Sequence, residues 1–150
     1  MDTLWSPWRY QYVTKANPNS GHCIFCEKPK ADDQASLILH RAEHNFVLLN
    51  LYPYTNGHLM IAPYEHVVTL EDCAAETLAE MMRLTQHAER VVRKVYRPLG
   101  INVGMNLGEC AGAGVAGHIH MHLLPRWTGD ASFLSVVGET RVLPEELSVT

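Results

Sequence analysis

The stretch "GHIHMHLLPRW", residues 117–127, places three histidines at alternate positions with an apolar residue in each gap. Successive side chains of a β-strand point to opposite faces, so residues two apart share one face. The spacing therefore predicts a strand over 118–124, with His118, His120 and His122 in a polar row. The residues between them form an apolar row that packs on a core. On a helix the same spacing would scatter the three imidazoles around the axis.

The geometry of this row limits the chemistry that it can perform. Neighbouring histidines of a strand row lie about 6.6 Å apart and the outer two about 13 Å apart at the backbone. One zinc ion, with Zn–N distances of about 2.0–2.1 Å, does not easily collect all three. A metallohydrolase with two ligands from His-x-His needs further ligands nearby, and none appears at short spacing. In covalent catalysis, one imidazole attacks phosphorus and a second, with a pKa near neutrality, protonates the leaving group. The remaining alternative is that the three histidines lie on an exposed strand face and share no chemical role.

A glycine-rich loop precedes the histidine row. The segment "GECAGAGVAG", residues 108–117, has four glycines in ten residues. Such a loop can offer backbone N–H groups to phosphate oxygens. Its position beside the histidines favours phosphate chemistry.

The surrounding sequence predicts an α+β domain with a largely antiparallel sheet of about five strands. Besides 118–124, apolar runs predict strands at 37–40, 45–51, 58–62 and 101–107. Residues 14–36 are rich in turn formers and predict mostly loop. From 71 to 97, apolar residues recur at helical spacing, acidic residues come first and basic residues last, and Pro98 and Gly100 end the helix. The tail 133–150 is either a short strand or a segment that lies on a partner subunit. The apolar stripe of the helix comprises Leu78, Met81, Met82, Thr85, Ala88, Val92 and Val95.

Length and charge narrow the function class. The 150 residues fit one domain, without a visible internal repeat, and 47% of them are hydrophobic and 19% charged. A formal net charge of -4 and a pI near 6.1 argue against nonspecific binding to nucleic acid. No leader pattern and no apolar stretch of about 18 residues is visible. We therefore expect a cytoplasmic protein.

Two of the four cysteines lie three positions apart in the sequence. Cys23-Ile-Phe-Cys26 has the spacing of half a tetrahedral zinc site. Two free thiols in a loop are the alternative. A redox pair is disfavoured, because no helix with apolar periodicity follows the motif.

The histidine row resembles a known family signature. Residues 118–124 are similar to the His-φ-His-φ-His-φ-φ motif of the histidine triad (HIT) nucleotide hydrolases and transferases. The segment "VLLNLYPYTNGHLMIAPYEHV", 47–67, resembles the central hairpin of that family. The segments "LWSPWR" (4–9), "NLGECAGAGVAGHIHMHLLPRWTGDASF" (106–133) and "GETRVLPEEL" (138–147) resemble the branch that contains diadenosine tetraphosphate phosphorylases. The resemblance implies one HIT domain over 1–150, with an N-terminal aromatic segment and a C-terminal extension. It also implies a homodimer that continues the sheet across its two-fold axis.

The resemblance assigns roles to the three histidines. His120 would attack the α-phosphate of an adenosine-containing nucleotide, such as a dinucleoside polyphosphate, and the nucleotidyl-histidine would pass to phosphate or water. His122 would assist the leaving group. His118 would orient the nucleophile or bind a structural metal ion.

The resemblance also implies binding residues. Asn50 matches the position that contacts the ribose hydroxyls, and Asn106 matches one that helps to hold the reacting phosphate. The matching apolar walls around the base are Ile24, Phe25, Leu49 and Leu51.

One part of the glycine loop departs from the better-known HIT hydrolases. They carry Gln four residues before the first histidine and often Ser or Thr beside it, where this chain has Gly114 and Val115. The loop between Asn106 and His118 is also one residue longer, as in the phosphorylase-like branch. Phosphorylase members often have Ser at the position of Gly114. Backbone groups at Gly114 would replace the missing side-chain contact, and the extra room would admit orthophosphate.

The family supplies further ligands for the cysteine pair. Zinc-bearing relatives imply His66 and His118 beside Cys23 and Cys26. Four protein ligands leave no open coordination position, so this zinc would be structural.

Other features carry weaker interpretations. His58 follows the Asn-Gly turn and is interpreted as structural. Arg126 either contacts a distal phosphate or is an exposed charge. The aromatic cluster Trp5, Trp8, Tyr10 and Tyr12 either covers the base pocket or packs on a partner.

Several functions are compatible with this pattern. Within the enzyme class they are phosphorolysis of diadenosine tetraphosphate, its hydrolysis, and hydrolysis of nucleoside phosphoramidates. Outside it, the alternative is a zinc-stabilised module that binds nucleotides without turnover.

Overall fold

A computed structural model describes residues 22–130 and 147–150. The aromatic cluster of residues 5–12 and most of the predicted tail lie outside these residues. Within the described part, no helix is long and apolar enough to cross a membrane. The strands are β1 (Ile38–Arg41), β2 (Asn45–Leu49), β3 (Leu59–Pro63), β4 (Gly100–Gly104) and β5 (Met121–Arg126). The α-helices are α1 (Ile24–Glu27), α2 (Asp33–Ser36) and α3 (Ala75–Tyr96), with 3-10 turns at Lys28–Lys30 and Glu109–Ala111.

The five strands form one antiparallel sheet in the order β1-β2-β3-β5-β4. The predicted α+β fold with one long helix is therefore confirmed. The strand predicted over 118–124 begins only at Met121, because the pairing of β3 with β5 stops at Ile61 and Met121. Before that point the backbone N–H of Ile119 donates to the carbonyl of Val67, 2.8 Å away. His118 and His120 therefore lie in the segment that leads into β5, and His122 lies within it.

The alternation of side chains gives the sheet two apolar faces. The face towards α3 carries side chains that pack with those of the helix in two clusters. The opposite face packs against Phe25 of α1. Because Met60 is paired with His122 and belongs to this second face, His122 lies on the side away from α3. The sheet residues facing α3 are Val47, Leu49, Leu59, Ile61, Met121 and Leu123, and those packed with Phe25 are Ile38, Phe46, Leu48, Met60 and Ala62.

The long helix is shorter and its buried stripe narrower than the sequence predicts. It begins at Ala75 rather than at 71, since residues 71–73 form turns, and it ends at Tyr96 with Arg97 in the left-handed conformation before Pro98. Met82 and Val95 are exposed. The sheet covers only one side of the helix, so the outer members of the predicted stripe remain in solvent.

The segment predicted as loop before β1 contains three short helical turns. The last of them, α2, is capped by Asp32, whose carboxylate accepts from the backbone N–H groups of Gln34 and Ala35. An aspartate at this position satisfies donors that the helix leaves unpaired. The cap fixes the turn that leads into β1.

A buried carboxylate joins α3 to the β1–β2 hairpin. Glu80 accepts hydrogen bonds from the backbone N–H groups of Glu43 and His44 and from the amide of Asn45, at 3.1, 2.8 and 2.8 Å. Burial raises the pKa of Glu80, but these hydrogen bonds lower it more, so that its net pKa lies below the usual value of 4.5. The ionised carboxylate therefore stabilises the hairpin at neutral pH.

We expect Glu80→Ala to lower the free energy of unfolding by about 3 kcal/mol at pH 7, because three donors lose their acceptor. The folded-state pKa is depressed, so this contribution is present above the unfolded-state pKa and is lost as the pH falls through the folded-state pKa. Urea unfolding at pH 7 and pH 3 measures both effects. The control is Glu76→Ala, which removes an exposed glutamate one turn earlier. Equal destabilisation by the two substitutions would contradict the role of the buried carboxylate.

Candidate active site

All three histidines of the row are buried. His118 is 1% exposed, His120 4% and His122 8%. Their rings face three different partners: a cysteine cluster, a backbone carbonyl and a fourth histidine. These partners determine which ring nitrogen of each histidine carries the proton.

His120 has its Nδ1 position fixed by the backbone. The ring nitrogen lies 2.9 Å from the carbonyl oxygen of His118, and since a carbonyl can only accept, Nδ1–H must donate. Burial lowers the pKa of His120 more than this hydrogen bond raises it, which favours the neutral ring. The Nε2 atom of the neutral ring therefore carries a lone pair. This is the state that a nitrogen nucleophile requires.

His122 is held by a chain of hydrogen bonds that ends at the backbone of Tyr54. The N–H of Tyr54 donates to Nδ1 of His58 at 3.1 Å, so neutral His58 carries its proton on Nε2. That Nε2–H donates to Nδ1 of His122 at 2.9 Å. His122 is thereby left with a proton on its own Nε2. Burial, with a smaller contribution from His120, lowers the pKa of His122 to about 4 and keeps the ring neutral at pH 7.

His58 is thus part of the site, whereas the sequence alone indicates only a structural role for it. It is 1% exposed and lies one residue before β3. Its position follows from the pairing of β3 with β5, in which Leu59 lies opposite Leu123 and Met60 opposite His122. The sequence indicates that residues 58 and 60 share one face of a strand, but it does not show that β5 is the strand beside them.

A cleft opens beside the two rings. Of the residues that the family resemblance associates with nucleotide binding, Phe25, Asn50 and Gly114 line it. The side-chain oxygen of Asn50 accepts from the N–H of Tyr52 at 2.9 Å, which holds the amide at the cleft wall. The remaining lining residues are Tyr52, Tyr54, Met60, Gly112, Val115, His120 and His122.

Three predicted wall residues do not line this cleft. Leu49 packs under α3 with Ala88 and Val92, because alternation along β2 directs it to the opposite face of the sheet from Leu48. Leu51 and Ile24 are about half exposed, at 49% and 45%. The aromatic side chains of the cleft are those of Phe25, which the resemblance predicts, and of Tyr52 and Tyr54, which it does not.

The glycine loop is held in shape by Asn106. Its side-chain amide donates to the carbonyl of Gly112 at 3.3 Å. Gly108 and Gly112 have φ values of 86° and 89°, a conformation that side chains rarely adopt. Asn106 thus supports the loop that carries Gly112 and Gly114 to the cleft. A direct contact of Asn106 with a reacting phosphate remains a prediction.

Arg126 is engaged in a salt bridge. Its guanidinium donates to both carboxylate oxygens of Asp130 and to the side-chain oxygen of Asn102. The contact with Asp130 raises the pKa of Arg126 above its usual value. The exposed, paired state agrees with the interpretation of Arg126 as a surface charge.

Four potential metal ligands lie close together at the first histidine of the row. Cys23, Cys26, His66 and His118 bring their ligand atoms within 4.8 Å of one another. The Cys23 sulfur lies 3.3 Å from Nδ1 of His118, and the Cys26 sulfur lies 3.3 Å from Nδ1 of His66. All four belong to the ligand set that the paired cysteines and the family resemblance predict.

The protonation of His118 fits a metal ligand. Its Nε2 lies 3.0 Å from the carbonyl oxygen of Pro63 and must donate, which leaves the Nδ1 lone pair directed at the thiols. Burial is the main cause that lowers the pKa of His118 to about 4, so the lone pair is available at neutral pH. Two sulfur and two nitrogen ligands are a set that zinc prefers, and a metal ion would displace the thiol protons. The residues therefore fit a closed, structural metal site.

Comparison with known proteins identifies the family. The HIT domain model matches residues 31–129. The AP-4-A phosphorylase of Mycobacterium tuberculosis (strain ATCC 25618 / H37Rv) is 43% identical over 157 aligned positions, which cover all of this chain and 80% of that protein. The protein named hit from Bacillus subtilis (strain 168) is 32% identical over 71% of this chain and 72% of its own length.

Solved structures give the same result. A Zn-bound histidine triad family protein from Mycobacterium smegmatis has a TM-score of 0.65 at 31% identity, over 82% of this chain and 84% of that chain. A HIT-family member from Bacillus subtilis has a TM-score of 0.65 at 29% identity, over 85% and 91%. The chain belongs to the HIT family. Within that family it is an enzyme, since it aligns over its full length with an enzyme.

Proposed function

We propose that this enzyme cleaves dinucleoside polyphosphates similar to diadenosine tetraphosphate at the α-phosphate, through a nucleotidyl-His120 intermediate. The observation that carries the proposal is the pair of buried rings in the cleft, whose Nδ1 hydrogen bonds assign a lone pair to Nε2 of His120 and a proton to Nε2 of His122. Identity of 43% to an AP-4-A phosphorylase supports the substrate class.

The chemistry is a double displacement at phosphorus. Nε2 of His120 attacks the α-phosphorus, a nitrogen–phosphorus bond forms, and the bond to the bridging oxygen breaks. ATP leaves, and AMP stays on the imidazole. Nε2–H of His122 donates a hydrogen bond to the departing oxygen, which a phosphate leaving group can use without full protonation.

The acceptor then regenerates the enzyme. Orthophosphate attacks the phosphorus of the intermediate and yields ADP, whereas water yields AMP. The glycine loop lines the cleft with Gly112 and Gly114, which have no side chains to fill the space where a second phosphate would enter. We therefore favour orthophosphate.

The deciding experiment is incubation with diadenosine tetraphosphate, with and without orthophosphate, followed by identification of the nucleotides. We expect ADP and ATP, formed only with orthophosphate. AMP and ATP formed regardless of orthophosphate would make the enzyme a hydrolase. Failure to cleave diadenosine tetraphosphate, with cleavage of an adenosine phosphoramidate instead, would replace the substrate class. Binding of AMP without turnover of either substrate would contradict the enzymatic proposal.

The acid limb of the pH profile provides a second test. Burial lowers the pKa values of both His120 and His122 below the usual imidazole value of 6.5, that of His122 to about 4. Dinucleoside polyphosphates have no terminal phosphate that titrates in this range. Because protonation of either ring removes the required state, we expect the acid limb of kcat/KM to lie below 6.5, at the higher of the two lowered pKa values. A fall centred near 6.5, in protein shown by circular dichroism to be folded, would contradict neutral buried rings.

The proposal includes zinc at the cysteine–histidine cluster. With Cys23, Cys26, His66 and His118 as ligands, zinc would hold α1 against the segment before β5 and take no part in phosphoryl transfer. The Zn-bound relative from M. smegmatis supports this choice of metal. We also propose a cytoplasmic location, where thiols of this kind remain reduced.

The proposal also includes a homodimer formed through β4. Within the described part of the chain, β4 lies at one end of the sheet order and pairs only with β5. Val103 on this strand and Leu99 just before it are 47% and 74% exposed. Among the described residues, the outer edge of β4 has no partner strand, and such an edge with apolar side chains is a template for pairing with a second chain.

We expect Val103→Lys to convert the dimer to a monomer, as measured by light scattering. The control is Leu39→Lys, which places the same charge at an exposed position of β1, at the other end of the sheet. A wild-type monomer, or dissociation by the control alone, would contradict pairing through β4.

A further inference from the structure

Phe25 occupies a position between two sites that have been described separately. It lies on α1, a helix of four residues that begins immediately after Cys23 and includes Cys26. Its side chain is 1% exposed and packs in the core on the cleft side of the sheet. It is therefore anchored by the same short segment that supplies both cysteines of the metal cluster.

The Phe25 ring contacts the reacting imidazole. The ring centroids of Phe25 and His120 lie 4.7 Å apart at an angle of 35°, and those of Phe25 and His118 lie 5.3 Å apart. The His122 ring packs edge-on against His120, with centroids 4.7 Å apart. His120 is thus enclosed by Phe25 and His122, while its Nδ1–H reaches the carbonyl of His118.

We propose that Phe25 is a positioning residue for His120, and that through it the metal cluster is coupled to the reacting imidazole. A helix of four residues is marginal in water on its own, and the hydrogen bonds between Lys28 and Ser36 tie only the chain that follows its last residue. The cluster of Cys23 and Cys26 with the two histidines holds this turn, and the turn holds the Phe25 ring. The ring in turn keeps Nδ1 of His120 directed at its carbonyl and Nε2 directed at the cleft. This inference rests on the proposed role of His120 as nucleophile.

The test compares Phe25→Leu with Phe46→Leu. Phe46 is a fully buried member of the same core cluster and stacks on Tyr64. The two substitutions remove the same ring atoms from the same core. We expect Phe25→Leu to lower kcat for diadenosine tetraphosphate by about tenfold to a hundredfold, with a smaller change in KM, since small misplacements of reacting groups have effects of this size. Phe46→Leu is expected to retain the wild-type kcat.

A second readout does not depend on turnover. The ¹⁵N resonances of the His120 ring distinguish a protonated from an unprotonated nitrogen in the zinc-saturated protein without nucleotide. We expect a single Nδ1–H form in the wild type and in Phe46→Leu, and a mixture of both forms in Phe25→Leu. Chelation of zinc should produce the mixture in the wild type and cause no further change in Phe25→Leu.

The outcomes separate the two proposals. A raised KM with unchanged kcat and an unchanged ¹⁵N pattern in Phe25→Leu would make Phe25 a wall of the cleft only and overturn the inference. Equal effects of both substitutions would assign them to loosening of the core, which also overturns it. An unchanged wild-type ¹⁵N pattern after chelation, or equal changes in the wild type and Phe25→Leu, would remove the coupling to the metal cluster. If the wild type does not cleave diadenosine tetraphosphate, the proposed substrate fails, and the ¹⁵N comparison still decides the positioning role.

Discussion

Replacing His120 by alanine is expected to lower the rate of diadenosine tetraphosphate cleavage by about 10⁴-fold or more, while nucleotide binding is retained. The imidazole supplies the nucleophile, and its removal leaves only binding and the remaining hydrogen-bond donors of the cleft. AMP affinity by calorimetry and the single-turnover rate measure the two properties separately. Added imidazole is expected to restore part of the lost rate, because it can occupy the space left by the ring.

The matched control is His87→Ala on the exposed side of α3. It should cleave at the wild-type rate. A turnover by His120→Ala close to that of this control would exclude His120 as the nucleophile. Loss of AMP binding together with turnover would show that the substitution disrupts the cleft, and His120→Asn, which keeps a side-chain donor near the His118 carbonyl, then separates chemistry from folding.

Removal of the proposed zinc ion is expected to have the second-largest effect. For a metal present at about 1,000 times its Kd, binding to the folded state alone contributes about 4 kcal/mol to the free energy of unfolding. For a chain of this size, that loss corresponds to a fall of roughly 10 °C in the melting temperature. Chelation followed by calorimetry measures the fall, and addition of zinc should reverse it.

Single substitutions locate the metal. Cys26→Ser removes one ligand of the cluster and should melt at the lower temperature even with zinc present. Cys110→Ser makes the same chemical change at an exposed cysteine outside the cluster and should melt like the wild type. Unchanged melting after chelation, or the same loss in both variants, would contradict a structural metal at these four residues.

The sequence predicts the fold to a useful extent because its strongest patterns are local. The alternation at 118–124 and the helical spacing before Pro98 each depend on a single element. The predictions are wrong where a contact between residues distant in the sequence determines the start of a strand or the burial of a side chain. β5 starts late because Ile119 bonds to Val67, and Met82 and Val95 are exposed because the sheet covers only part of α3.

In the candidate site, too, the sequence predicts the motifs that lie within short segments but not the contacts between distant residues. The paired cysteines and the histidine row are motifs within short segments, and the structure brings Cys23, Cys26, His66 and His118 together as the family resemblance implies. The contact of His58 with His122 spans 64 residues and depends on strand order, which the sequence does not reveal. The family resemblance predicts Leu49 at the cleft, but Leu49 lies on the face of the sheet that packs against α3.

The separation of the metal ligands along the chain has a consequence for synthesis. Cys23 and His118 are 95 residues apart. At about 5–20 residues per second, the two thiols leave the ribosome roughly 5–20 s before the histidine that completes the ligand set. At the proposed site, a metal ion captured by the nascent chain would therefore be held by an incomplete set of ligands. The proposed ligand set would be complete only when the segment before β5 has reached Pro63 and Val67, so metal content would report that this part of the chain has been both synthesised and folded.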